Sequence, residues 1–343
     1  MTTPPIDWSG FNARVGDVQI VTPCVEFILF LDVTDDVGIL DFYERSRTAL
    51  NGLLTHYQAE SMSKFARLSP RADSMVPTWF TKPRPGKATY YMVMAGGDPD
   101  EDVSASTIEL SIFRRPADDI TAEERARWKA KWGDKRSKVP HPGSLLRVTL
   151  PLDHPLAAPE RVRDWILDFS LVKTGSIFTG YCGYALNYYA QAVRPSLYIP
   201  ATRALASLVL RYPGIGWNGG GVQSRILRYE LGIFDFVPLI KRANWLTLVC
   251  DKTLDIIGGR SVVAGQLGTD LSINLYNLAH GLGIQAGVAP EVGDLGHRQF
   301  LPCYRRVARV LRPVRIPDLA GAGAEFMQGA TTDWLDSLDK DYK

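Results

Sequence analysis

Val25-Glu26-Phe27-Ile28-Leu29-Phe30-Leu31-Asp32-Val33 is the stretch that decides the fold class. It is an almost unbroken apolar run up to Asp32, the pattern of a central strand covered on both sides. Asp35 and Asp36 follow as helix N-cap residues. Leu40, Tyr43, Leu50, Leu54 and Tyr57 then recur at helical spacing, which predicts one long amphipathic helix. Further out, Thr89 to Met94 reads as a strand, and Gly96-Gly97-Asp98-Pro99-Asp100 as a turn. Ile108, Leu110 and Ile112 alternate with Glu109 and Ser111, the period of a half-buried strand. These two strands are expected to pair as a hairpin around an acidic loop.

The same reading extends to both ends. Thr121 to Trp132 has the look of a charged surface helix with a Thr121/Glu124 capping box. Leu146, Val148 and Leu150 alternate as a strand. Pro159 opens a helix with Val162, Trp165, Ile166, Phe169 and Val172 inward. Pro200 opens another, with Leu205, Leu208, Val209 and Tyr212 inward, stopped by Pro213-Gly214. Trp245 to Cys250 and Leu271 to Leu278 read as strands. Leu301, Tyr304, Val307, Ala308 and Leu311 form one face of a late helix, with Arg305, Arg306, Arg309 and Arg312 on the other. Strands and helices mix without regular βα alternation. The expected class is α+β, a mainly antiparallel sheet flanked by amphipathic helices. The chain reads as a single domain, 1–343, within which 1–150 and 151–343 are candidate similar lobes meeting at the Pro- and Gly-containing stretch 139–159.

Composition narrows the chemistry. The 343 residues are 45% hydrophobic and 22% charged, enough for a real core. The net charge of +2, from 39 Lys+Arg against 37 Asp+Glu, argues against a dedicated nucleic-acid binder. Cys24, Cys182, Cys250 and Cys303 are scattered among apolar neighbours, as buried reduced thiols are. The N-terminal residues lack the basic and apolar regions of a signal peptide, and no apolar run approaches the ~20 residues of a membrane span. A cytoplasmic protein without a membrane segment is expected.

No residue pattern selects a reaction. Gly214-Ile215-Gly216-Trp217-Asn218-Gly219 matches G-x-G-x-x-G, but a helix and Pro213 precede it where the dinucleotide fingerprint needs a strand. Gly281-Leu282-Gly283-Ile284-Gln285-Ala286 matches the looser form, with too little room for the following helix, and reads as a loop. A nucleotide-binding enzyme using the loops near Gly216 and Gly283 is therefore the alternative function. There is no P-loop, no H-E-x-x-H and no nucleophile elbow. Neither a metal nor a cofactor is expected. Asp98, Asp100, Glu101 and Asp102 form an acidic cluster able to face a basic partner, although it lacks the ligand order of a calcium loop. Asp333, Asp336, Asp339 and Asp341 form a second one. The arginine face from Arg305 to Arg315 could meet phosphate, with a solvated surface as the plainer reading.

Leu210-Arg211-Tyr212-Pro213-Gly214-Ile215, followed by Ile240-Lys241-Arg242-Ala243-Asn244-Trp245-Leu246-Thr247-Leu248, Leu254 and Gly258-Gly259, resembles the type VI secretion immunity family of TsiV- and TsiT-like proteins. Ser176 to Ala185 is similar to that family's Gly- and Ser-containing strand. The chain departs from the family pattern at Gly216, where Asp is expected, and at Arg242-Ala243, where Gly-Val is usual. The resemblance implies a protein that binds and neutralises a secreted effector toxin, a nuclease of the restriction-endonuclease-like group, by covering its active cleft or blocking its assembly. It implies no catalysis and no direct contact with nucleic acid, and it leaves the oligomeric state open. Partner-binding residues expected on this reading are Asp98, Asp100, Glu101, Asp102, Trp217 and Asn218, with Trp8 and Trp79 as further aromatic anchors. The Tyr212-Pro213-Gly214 and Asn244-Trp245 motifs are read first as framework, a helix stop and a strand start.

Overall fold

The computed structural model describes residues 6–31, 35–59, 62–81, 90–99, 104–106, 108–114, 130, 144–188, 195–217, 239–269, 272–316 and 328–340. In chain order the elements are β1 (Ala13–Val15), β2 (Val18–Leu31), α1 (Asp36–Ala49), β3 (His56–Ala59), β4 (Ala66–Arg67), α2 (Pro70–Thr81), β5 (Tyr90–Ala95), β6 (Glu109–Arg114) and β7 (Leu145–Leu150). There follow α3 (Pro159–Leu167), α4 (Ser170–Thr174), β8 (Ile177–Tyr188), α5 (Pro195–Arg211), β9 (Leu246–Cys250), α6 (Asp251–Ile256), α7 (Arg260–Leu267), β10 (Ile273–Leu278), β11 (Gly281–Ala286), α8 (Pro302–Leu311) and α9 (Gln328–Asp336). The strands form one 11-stranded sheet in the order β10-β11-β9-β8-β2-β7-β6-β5-β3-β4, with β1 beside β2. Every named ladder is antiparallel. The class is α+β, as the strand and helix patterning predicts.

The decisive apolar stretch is the centre of this sheet. β2 pairs β8 from Val21↔Tyr188 to Leu31↔Ile177. All strands up to β7 lie on the β2 side of that ladder, and all strands from β8 onward lie on the other. Pro23 stands inside β2 without breaking it. β8 runs along one edge of β2, while on the other edge β1 reaches only Val21 and β7 begins at Val25. Leu31 donates its N–H toward the β7 side, to Ser144 O, so the odd-numbered residues of β2 point that way. The proline, which has no N–H to offer, therefore faces the gap between β1 and β7.

Helices close the core. Phe27 lies parallel to the Phe169 ring at 5.9 Å and near Trp165 (6.1 Å) and Phe42 (6.3 Å), which brings α1 and the α3–α4 segment onto one face. Aromatic pairs at such distances add ~1 kcal/mol each beyond the area they bury. α5 packs on β1, β2 and β8, α8 on β11, and α9 on α5.

Several expectations need correction. The first helix does not reach Tyr57. It is capped by Asp35, whose carboxylate accepts from Gly38 N–H (2.8 Å), and it ends at Ala49 before a turn with Gly52 at φ +76°. Tyr57 belongs to β3. The helix from Pro159 breaks at Asp168 into α3 and α4. α5 begins at Pro195, not Pro200. The missing N–H of Pro200 deprives only a carbonyl of the first turn, so the helix tolerates it. Gly281–Ala286 is a buried strand between β10 and β9, not a loop. The Thr121–Trp132 helix falls outside the described residues apart from Ala130.

Candidate partner interface

The β5–β6 hairpin forms as predicted, closing at Ala95↔Glu109. Its turn is tied down from two directions. Gly97, at φ +105°, donates its N–H to Thr55 Oγ1 (2.9 Å), and the Asp98 carboxylate lies 3.8 Å from His56 Nε2 on β3. On the returning side, Ala105 N–H donates to Gln19 O (2.7 Å) and Asn187 Nδ2 donates to Ser106 O (2.7 Å). Asp98 is thus a partly buried, positioned acid at the mouth of the turn. Asp100, Glu101 and Asp102 continue the turn in sequence and lie outside the described residues.

A buried charge network runs across the sheet from the foot of this turn. Glu26 on β2 stands opposite Thr149 on β7, which stands opposite Glu109 on β6, so all three share a face with Arg147. Arg147 Nε donates to Glu26 Oε2 (2.6 Å), Nη1 to Glu109 Oε1 (2.7 Å) and Nη2 to Asn187 Oδ1 (2.7 Å). Ser111 Oγ also donates to Glu109 Oε1. Burial works against the Arg147 charge, but Glu109 and Glu26 outweigh it and hold the guanidinium protonated. With two carboxylates around one guanidinium, the network ties β2, β6, β7 and β8 together by charge-assisted hydrogen bonds.

Lys241 is the second buried charge. It is 1% exposed, with its ammonium 4.5 Å from the centre of the Tyr181 ring. Burial pulls its pKa down to about 7, while Glu26 works in the other direction. Between about pH 7 and the ordinary lysine value near 10.5, the unfolded chain binds a proton that the folded chain does not. Stability therefore rises with pH across that window, and this gain is absent below about 7. Urea unfolding of wild type and Lys241→Met at pH ~7 and ~9.5 should show the wild type gaining a few kcal/mol more than the variant. Equal gains would place the lysine charge elsewhere.

Other residues singled out in the sequence turn out to be framework. Trp217 is 2% exposed and packs edge-on against Trp334 at 5.6 Å, so it is a core residue and not a surface anchor. Asn218 lies outside the described residues, as does the Trp79 side chain. Trp8 is half-buried against Tyr184 and Phe11. Gly216 is buried and donates its N–H to Tyr184 O (2.7 Å), and the Gly281 and Gly283 backbones are enclosed between β10 and β9. Among the described residues, Gly216, Gly281 and Gly283 are thus part of the packed framework and not open loops. Arg242, 3% exposed, donates to Trp334 O, Ser337 Oγ, Pro213 O and Ile215 O and stacks over the Trp334 ring at 4.2 Å. The two departures from the family pattern, Gly216 and Arg242-Ala243, are thus buried.

The network residues Glu26, Arg147, Glu109, Asn187 and Lys241 were not singled out from the sequence as site residues. One signal was available: Glu26 interrupts an apolar central strand, and a buried carboxylate demands a cation. Among the described residues, no group of three or more His, Cys, Asp or Glu is placed to hold a metal ion, and no helix is long and apolar enough to cross a membrane.

A family model, TsiV, described as type VI immunity for VRR-NUC, matches residues 78–337, which includes the acidic hairpin, Arg147, Lys241 and Arg242. No curated protein matches the chain in sequence. Among solved structures, the Pseudomonas aeruginosa T6SS protein PA0821 is similar with a TM-score of 0.70, covering 95% of this chain and 84% of its own, at 18% identity. That likeness is one of fold.

Proposed function

Because the chain belongs to the TsiV family of type VI immunity proteins for VRR-NUC, we propose that it binds a cognate VRR-NUC effector and silences it by covering the nuclease cleft or blocking its assembly. The observation that carries this reading is the family match over 78–337. On this reading the chain acts in the cytoplasm and performs no reaction of its own. The β5–β6 turn suits the task. Its carboxylates, Asp98 with Asp100, Glu101 and Asp102, stand in for the phosphates that a nuclease cleft attracts. A net charge of +2 rules out mimicry by the whole surface, so the mimicry is local. The Glu26–Arg147–Glu109 network supplies the rigidity that limits the entropy lost on binding.

Expressing the effector's nuclease domain with and without this chain tests the reading. Cells should survive only with the chain, and continued killing would reject it. Reversing the turn, as Asp98→Lys with Asp100→Lys, should slow association with the nuclease by about tenfold or more at low salt while leaving the fold intact. Unchanged association kinetics by surface plasmon resonance would remove the turn from the interface.

A further inference from the structure

The two ends of the sheet are finished differently. At one end β4 has only two residues, Ala66–Arg67, one of them charged. A strand so short, carrying an arginine, offers little to a foreign strand. At the other end β10 runs for six residues, Ile273–Leu278, in unbroken register with β11. From Leu271 to Leu278 the sequence holds no charged residue and no proline. This edge therefore has neither the charge, the proline, the bulge nor the shortness that normally guards a free strand. It is also held firmly, since Tyr276 Oη donates to Gln285 Oε1 (2.5 Å) on β11. The hydrogen bonding shows which backbone groups are open. Ala286 donates its N–H to Trp245 O on the β9 side, and Gly287 donates to Ser272 O on the β10 side. By alternation, Ser272, Asn274, Tyr276 and Leu278 turn their backbone groups toward β11. The N–H and C=O of Ile273, Leu275 and Asn277 point the other way, out of the sheet. Among the described residues no strand lies there. Asn274 and Asn277 are exposed, so another chain can approach this edge.

We propose that β10 pairs with β10 of a second copy of this chain, antiparallel about a twofold axis at Leu275, and so continues the sheet across two molecules. The class of occupant follows from the open groups: an extended polypeptide backbone matches alternating N–H and C=O along an edge. The second copy is selected by the fit of β10 to itself. Antiparallel pairing of two identical strands is symmetric, as a closed dimer requires. The register that uses all three outward residues sets Leu275 against its own counterpart and Ile273 against Asn277, for about six hydrogen bonds. Asn274 then stands opposite Tyr276. Leucine meets leucine on the axis, and no like charges meet, because Ile273–Leu278 carries none. The twofold consumes both β10 edges and the β4 end is blunted, so assembly stops at two chains. The β5–β6 hairpin lies toward the β4 end of the sheet and stays free. Self-pairing therefore neither needs nor hinders effector binding.

Sedimentation velocity of the full chain from ~1 to ~300 μM tests the pairing, because an edge-to-edge contact is a small interface with an expected Kd on the order of 10 μM. The weight-average mass should rise with concentration from one chain toward two. Leu275→Pro removes an outward N–H that β11 does not use, so the Tm should be kept while the dimer Kd rises about tenfold or more. Leu275→Lys and Leu275→Glu place like charges face to face on the axis, and each alone should stay monomeric. Mixed in equal amounts, these two should recover the dimer, which reads out the register at Leu275 directly. A wild-type chain that remains monomeric at ~300 μM would overturn the proposal. So would a dimer that Leu275→Pro and the charged variants leave intact. A monomeric wild type whose binding to the VRR-NUC domain is lost in Leu275→Pro would give the edge to an effector strand and also overturn self-pairing. Protection from the effector should survive in all three variants, so failure of the pairing and failure of the immunity reading are told apart.

Discussion

Replacing Arg147 with methionine is expected to lower the stability of the fold by about 3–5 kcal/mol, a large part of what a domain possesses. The variant takes from Glu26, 4% exposed, the guanidinium that donates to it, leaving the buried Lys241 as a nearby cation, and removes donors from Glu109 and Asn187 as well. Most of the expected loss is the cost of a buried carboxylate that has lost its hydrogen-bonded cation, not the worth of the ion pair itself. Adding Glu26→Gln should therefore restore part of the stability, because the partner no longer carries a charge. Chemical denaturation of the single and double variants checks both statements. A loss below about 1 kcal/mol in Arg147→Met would mean that water already reaches Glu26.

Arg242→Met is expected to cost a similar ~3–5 kcal/mol by a different route. Arg242 donates to groups from two separate segments: Pro213 O and Ile215 O after α5, and Trp334 O and Ser337 Oγ at α9. Losing it takes this donor from Pro213 O and Ile215 O, leaves Trp334 O with only its Ser337 donors, and strips a stacked cation from Trp334. The damage should be greatest where the C-terminal helix docks. Hydrogen exchange over 328–340 should accelerate more than exchange in β2 or β8. Arg242→Lys should rescue little, because one ammonium cannot span acceptors on both segments. Uniform acceleration across the sheet would show that Arg242 does not act as this clamp.

What could be read in the sequence follows from how local each signal is. The Val25–Leu31 run, the Ile108–Ile112 alternation and the Asp35 cap are local patterns, and each is found where the residues place it. Boundaries failed where one periodicity passes into another. Tyr57 continues the helical spacing of α1 by accident, and Gly52 ends the helix before it. The β2 strand extends back through Pro23 because the ladder has a gap at that residue, which only the pairing reveals. Gly281–Ala286 looked like a loop because its glycines match a loop motif. In the sheet they serve close packing instead: a Cβ on Gly281 would overlap Val249 O.

The candidate site was legible only in part. The acidic turn is visible as a run of carboxylates between two strands. Its support is not, since Glu26, Glu109, Arg147 and Asn187 come from four strands and meet only through the sheet register. Trp217 shows the limit of composition as a guide. A tryptophan among glycines has the look of an interface anchor, yet Trp334, 117 positions later, covers it.

The most direct measurement is a titration of purified VRR-NUC domain with this chain while the domain degrades plasmid DNA. Cleavage should fall in proportion to added chain and stop near one equivalent, with the chain leaving the plasmid intact when present alone. Cleavage that continues unchanged in the presence of excess chain would contradict the role of a stoichiometric nuclease inhibitor.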